Sequence, residues 1–120
     1  MVGETDIDIV REAVVYECKL MVAATPVAMF DADVPVGKTR YIVGLIIGGL
    51  AATTDEHLIE TGNGATWITV MQVLTPSGDN FVIPTNIDLL KPLFVVGQAL
   101  NLRITSTTGA QYATVIYWDR

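Results

Sequence analysis

One residue in three is β-branched: Val, Ile and Thr together supply 40 of the 120 positions. Two heavy atoms on Cβ stiffen a side chain and suit a pleated strand better than a helix. No window shows a helical apolar stripe of useful length. The bias therefore predicts an all-β chain, and the length predicts a single domain. Hydrophobic residues make up 51% and charged residues 17%, which excludes a disordered chain.

The strands can be placed by alternation and punctuation. Residues 1–12 hold Glu4, Asp6, Asp8 and Glu12 against one base, Arg11, and read as an extended acidic arm or an edge strand. The β-sandwich domain is expected over residues 13–120. Val14, Tyr16, Cys18, Leu20 and Val22 share one face of a strand, with Glu17 and Lys19 on the other. This predicts Cys18 as a buried core thiol and the charges as solvated. Tyr41 to Ala52 is a long apolar run whose Gly44, Gly48 and Gly49 suggest a bulge or bend. Asp55 to Thr61 fits a strand or one helical turn. Ala65 to Leu74 is apolar on both faces.

Pro76-Ser-Gly-Asp-Asn80 signals a hairpin whose return strand is Phe81 to Ile83. Pro84 to Pro92 is a loop, and Leu93 to Val96 a short strand. Gln98 to Thr105 alternates cleanly, and Gln111 to Asp119 is the last strand, with Tyr112, Thr114, Ile116 and Trp118 on one face. Seven to nine short strands with uneven loops fit an antiparallel β-sandwich of jelly-roll or Greek-key type.

The residues that could carry chemistry are few. One Cys excludes a disulfide within the chain, and one His with one Cys cannot build a zinc cluster within it. A three-fold oligomer could gather three copies of His57, but the plain reading is a polar residue in a loop or on a strand face. Asp31-Ala-Asp33 is the one close acid pair in a loop, and Asn86 with Asp88 is a similar case. Ca²⁺ wants six to eight oxygens, and no EF-hand spacing follows. With His57 as the only imidazole, activating Cys18, Ser77 or Ser106 would depend on one particular meeting of loops, so the chain reads as a non-enzyme without metal or cofactor. The Gly44–Gly49 glycines lack the Lys-Ser/Thr and helix of a P-loop. A net charge of -6 argues against nucleic acid. The apolar run of twelve residues is too short for a membrane helix, and no signal peptide is read at the N-terminus. Synthesis in a cytoplasm is the expectation.

What remains is surface. A two-layer sandwich normally wets one face of each sheet, which imposes alternation. Tyr41–Ala52 and Ala65–Leu74 break it, and the excess predicts a partner: another copy or a different protein. The Pro-rich loops or the acidic arm could also cover it in cis. Contacts are expected from the arm, with Glu4, Asp6 and Asp8 as rim charges, and from the Pro84–Pro92 loop with its neighbour Phe94. Tyr41 and Trp118 are candidate aromatic anchors.

The stretch Gly97-Gln-Ala-Leu-Asn-Leu-Arg-Ile-Thr-Ser-Thr-Thr-Gly109, followed by Val115-Ile-Tyr-Trp118, resembles the last hairpin of small bacteriophage and viral β-sandwich proteins. Those proteins decorate or cement a capsid, or form part of a tail or fibre. Gly37-Lys-Thr-Arg-Tyr-Ile-Val-Gly44, after a Pro-rich loop, resembles their early sandwich strand. The resemblance implies a jelly-roll-like fold, a virion location, a homo-oligomer with a trimer favoured, binding to a capsid or other virion protein, and no catalysis. It also implies that the acidic arm tethers subunits. The alternative is a carbohydrate- or small-molecule-binding sandwich module, with Trp118 beside Asp119, or Trp67 near Asn63, as the stacking platform.

Overall fold

A computed structural model describes residues 13–48, 54–76, 79–109 and 111–120. Glu4, Asp6, Asp8 and the rest of the expected arm lie outside the described residues. The described residues are all-β, with nine strands in two antiparallel sheets. They are β1 (Val15–Leu20), β2 (Val27–Ala28), β3 (Arg40–Gly48), β4 (Asp55–Asn63), β5 (Thr66–Thr75), β6 (Phe81–Ile83), β7 (Phe94–Val96), β8 (Asn101–Ser106) and β9 (Tyr112–Asp119). The first sheet runs β1-β9-β3-β6, with β7 also paired to β3; the second runs β2-β8-β4-β5. The two form a β-sandwich.

The core lies between the sheets. Ile42, Leu45 and Ile47 of β3 and Ala113, Val115 and Tyr117 of β9 meet Ile59, Leu102 and Ile104 of the second sheet, all buried. Met29, Phe30 and Val34 close one side. The bulge that Gly44 suggested falls where β3 pairs with β9, between Ile42 and Gly44.

Several strand-level expectations are corrected. Thr75 and Phe81 do not flank a hairpin: β5 lies in the second sheet and β6 pairs with β3 in the first. The chain crosses from one layer to the other between β5 and β6. The same holds at Ser106–Gln111, because β8 and β9 also belong to different sheets, so the C-terminal stretch is an arch and not a hairpin. Asp55–Thr61 is strand, within β4.

The facing of β1 is reversed. Tyr16, Cys18 and Leu20 are exposed, so Cys18 is a surface thiol. The charged face turns inward because it has partners there. The Lys19 ammonium reaches Asp31, beyond β2 of the other sheet, at 2.6 Å, and this bond raises its pKa. Glu17 adds to the field around Arg40. The Arg40 guanidinium is nearly buried, bidentate on Asp119 at 2.7 and 2.8 Å, and lies 4.3 and 4.2 Å from the ring centres of Phe30 and Tyr117. Burial works against its charge, but these partners win and its pKa is raised. A sandwich margin with this many ion partners can take the polar side of an edge strand.

His57 lies on a strand face, one of its two expected placements: it stands in β4 with its side chain fully buried. Its Nδ1 lies 2.6 Å from Ser106 Oγ and its Nε2 2.9 Å from Thr75 Oγ1. Burial lowers its pKa, against the pull of Asp55. Asp55, Thr75, Ser106 and Gln111 are buried with it. Through its two ring nitrogens His57 ties the end of β8, at Ser106, to the end of β5, at Thr75.

Candidate interaction surface

The outer face of the first sheet follows from strand register. Tyr112, Thr114, Ile116 and Trp118 of β9 alternate away from the core. Leu20, Cys18 and Tyr16 pair with Tyr112, Thr114 and Ile116. On the other side Gly48, Ile46 and Gly44 pair with the same three residues, and Val82 of β6 pairs with Ile46. No charged side chain falls on these positions. The face is an uncharged surface of apolar, small and tyrosyl groups.

Half of it is covered by the chain itself. The Pro84–Pro92 loop lies across the Trp118 end. The Trp118 indole N–H donates to the Leu89 carbonyl at 2.8 Å, and its ring stacks on Tyr41 with centroids 4.4 Å apart. Val43 and Trp118 form a second small core with Val14, Tyr41, Leu89 and Ile116. Gly44 is glycine because the loop comes so close: a Cβ there would stand 3.0 Å from the Ile87 methyl. The apolar run is thus buried on both faces along this part of β3, and the Pro-rich loop supplies a third layer.

The other half is bare. Tyr16 is 71% exposed, Tyr112 55%, and Leu20 and Val82 about half exposed. Cys18 is exposed among them. Ile87 and Leu90 at the loop margin continue the patch. Exposed apolar surface of this kind is a candidate interaction site on a small domain.

No protein-family model and no curated protein matches the chain. The function therefore has to be read from the surface alone.

The proposed anchors separate in the structure. Trp118 is 6% exposed and holds the loop down. Tyr41 is half-buried on its ring, and Phe94 packs against the main core. Tyr16, Cys18, Leu20, Tyr112 and Val82 form the open patch instead. The alternation of Tyr112 with Trp118 was readable in the sequence; the outward turn of β1 was not, since an apolar face normally marks the core.

The remaining candidates offer no open site. Asp33 accepts hydrogen bonds from Asn63 and Asn101, each at 3.2 Å, and Asp31 pairs with Lys19, so the acid pair is already engaged. Asp88 accepts from the Leu90 N–H. The His57–Ser106 contact resembles a base and a hydroxyl nucleophile, and both side chains are fully buried. On the second sheet, Trp67 lies under the Arg103 guanidinium at 4.2 Å, and Arg103 is held by Glu60 at 2.9 Å.

Proposed function

We propose that the chain is a non-enzymatic structural subunit of a virion, a decoration or cement protein that self-associates and docks on the particle surface. The observation that carries this reading is the bare half of the first sheet's outer face. An apolar side chain of this size contributes roughly 1.5–3 kcal/mol when fully covered, and four of them stand open on one uncharged surface.

The strand order supports the reading at the level of fold. β1 lies beside β9, β2 beside β8, β3 beside β6 and β7, and β4 beside β5. With β6 and β7 counted as one interrupted strand, this is a long antiparallel ribbon rolled over on itself, which is a jelly roll. Jelly rolls serve in capsid proteins, lectins and cupins. A cupin-type centre needs several metal-binding histidines, and the sequence has one. A lectin-type site needs an open aromatic platform; Trp118 is buried, and Arg103 covers one face of Trp67. The assembly role is the use of the fold that these residues favour, by analogy of fold.

Purified virions from the source of the chain, probed with an antibody to it, provide the test. A band that co-purifies with the capsid in stoichiometric amount supports the proposal. Absence from particles, with a monomeric mass in solution, overturns it.

A further inference from the structure

Five strands form the sheet margins among the described residues, and four of them are blunted. β2 is two residues long, β6 and β7 are three each, and β1 carries Glu17 and Lys19. Short length and charge are the usual protections against pairing with another chain. β5 has neither. It runs for ten residues, Thr-Trp-Ile-Thr-Val-Met-Gln-Val-Leu-Thr, with no charge and no proline. One side pairs with β4, and no described strand pairs with the other. Ile68 is 66% exposed and Leu74 59%.

A bulge inside β5 selects the partner. Met71 pairs with Ile59 and Thr69 with Glu60, which leaves Val70 as the extra residue. An extra residue shifts the side-chain phase by one. Met71, Val73 and Thr75 therefore face the sandwich interior together with Ile59, His57 and Asp55. Gln72 and Leu74 face outward, and beyond the bulge Trp67 and Thr69 face outward with them, while Ile68 and Thr66 turn to the inner side.

Two antiparallel copies of a regular strand place residues of like parity opposite each other. The shifted phase of β5 instead favours a two-fold axis between Val70 and Met71. Thr69 then meets Gln72 of the second copy, Ile68 meets Val73, Trp67 meets Leu74, and Thr66 meets Thr75. Every pair joins side chains of the same face, as cross-strand pairing requires. No pair contains a charge, although each copy carries a net charge of -6. The acids one strand back are engaged, Glu60 by Arg103 and Glu56 by the Gln72 amide. A second copy thus supplies the backbone partner, the matching phase and an uncharged seam.

We infer that β5 pairs antiparallel with β5 of a second copy, joining two four-stranded sheets into one of eight strands about a two-fold axis. This rests on the self-association part of the proposed function and assigns it to an edge. It also replaces the three-fold arrangement implied by the viral resemblance with a two-fold one.

Light scattering on the purified full chain tests the pairing, with Val70→Lys and Val70→Glu as variants at the axis. The wild type is expected at twice the chain mass, each variant alone at the single-chain mass, and an equimolar mixture of the two back at twice the mass. A wild-type mass of one chain, or a Val70→Lys mass equal to that of the wild type, overturns the inference. A second measurement avoids charge at the bulge. In a Cys18→Ser background, Thr69→Cys mixed with Gln72→Cys is expected to give a disulfide-linked pair on mild oxidation, and neither alone to do so. No mixed disulfide overturns the register. A chain that dimerises through β5 but is missing from particles ends the virion reading alone; a chain on particles that keeps its mass in Val70→Lys ends the edge assignment alone.

Discussion

The two halves of the first sheet's outer face share β9, whose alternating outward positions run from Tyr112 on one half to Trp118 on the other, yet only one half is covered. At the covered end stand Trp118, Val43 and Tyr41 beneath Leu89. At the bare end stand Tyr112, Leu20, Tyr16 and Val82. Hydrophobicity does not separate them; the position of the polar atoms does. An indole has one donor, which needs a partner once the ring is covered, and the loop offers the Leu89 carbonyl. The bare half carries its polarity on two tyrosines whose rings can be half-wet. The Pro84–Pro92 loop thus lies where a tryptophan requires a partner and leaves the amphipathic half open.

The largest expected effect comes from removing the covered half's anchor. Trp118→Ala takes away a buried ring, the Tyr41 stack and the loop's hydrogen bond. It should lower stability by about 3–5 kcal/mol, measured by urea unfolding. The matching change on the bare half, Tyr112→Ala, should cost less than about 1 kcal/mol in the monomer. Equal costs would show that the two halves do not differ in cover.

Gly44→Val comes next. The new side chain would meet the Ile87 and Ile116 methyls, at 3.0 and 3.2 Å already from the first carbon. Overpacking of this kind costs about 1–3 kcal/mol. Because the loop is what must give way, limited proteolysis should cut within Pro84–Pro92 sooner than in the wild type. Unchanged cutting would mean that the loop does not depend on this contact.

Much of this architecture is legible in the sequence, and the exceptions have physical reasons. The β-branched excess, the alternation of β8 and β9 and the bulge near Gly44 are all local signals, and the structure has them. The crossings at Thr75–Phe81 and Ser106–Gln111 read as hairpins because turn residues specify a reversal and not the layer in which the chain resumes. β1 reads inside out because alternation says which residues share a face, while Arg40, Asp31 and Asp119, all distant in sequence, decide which face is in. The phase change inside β5 has no signal in the sequence because the extra residue, Val70, carries no special residue type. The sequence leaves His57 between a loop and a strand face because its partners, Ser106 and Thr75, are 49 and 18 positions away.

The buried cluster around His57 gives a pH test that bears on the crossings rather than on either half-face. Burial lowers the folded-state pKa of His57 below its ordinary 6.5. The unfolded chain therefore binds the proton first as pH falls. Stability should be full above about pH 6.5 and fall as pH drops from there through the lower folded value. Melting temperature followed across that window should decline in the wild type, and this part of the decline should disappear in His57→Gln. An identical slope in the variant would show that carboxylates alone cause the acid sensitivity.

The smallest effect on folding is expected at the bare half, and it sharpens the comparison most. Leu20→Lys on an edge strand's open face should change monomer stability by no more than about 0.5 kcal/mol. On the proposed function it should nonetheless abolish particle binding, because a lysine carried into an uncharged interface must be desolvated without a partner. Cys18, the one thiol of the chain, lies between Leu20 and Tyr16 on the same face and reports occupancy directly. It should react readily with maleimide in the free chain and be protected on the particle. The β5 pairing leaves it open, so dimerisation alone should not protect it. Protection in the free dimer would move the self-association contact from β5 to this face, and reactivity on the particle would remove the bare half as the docking surface.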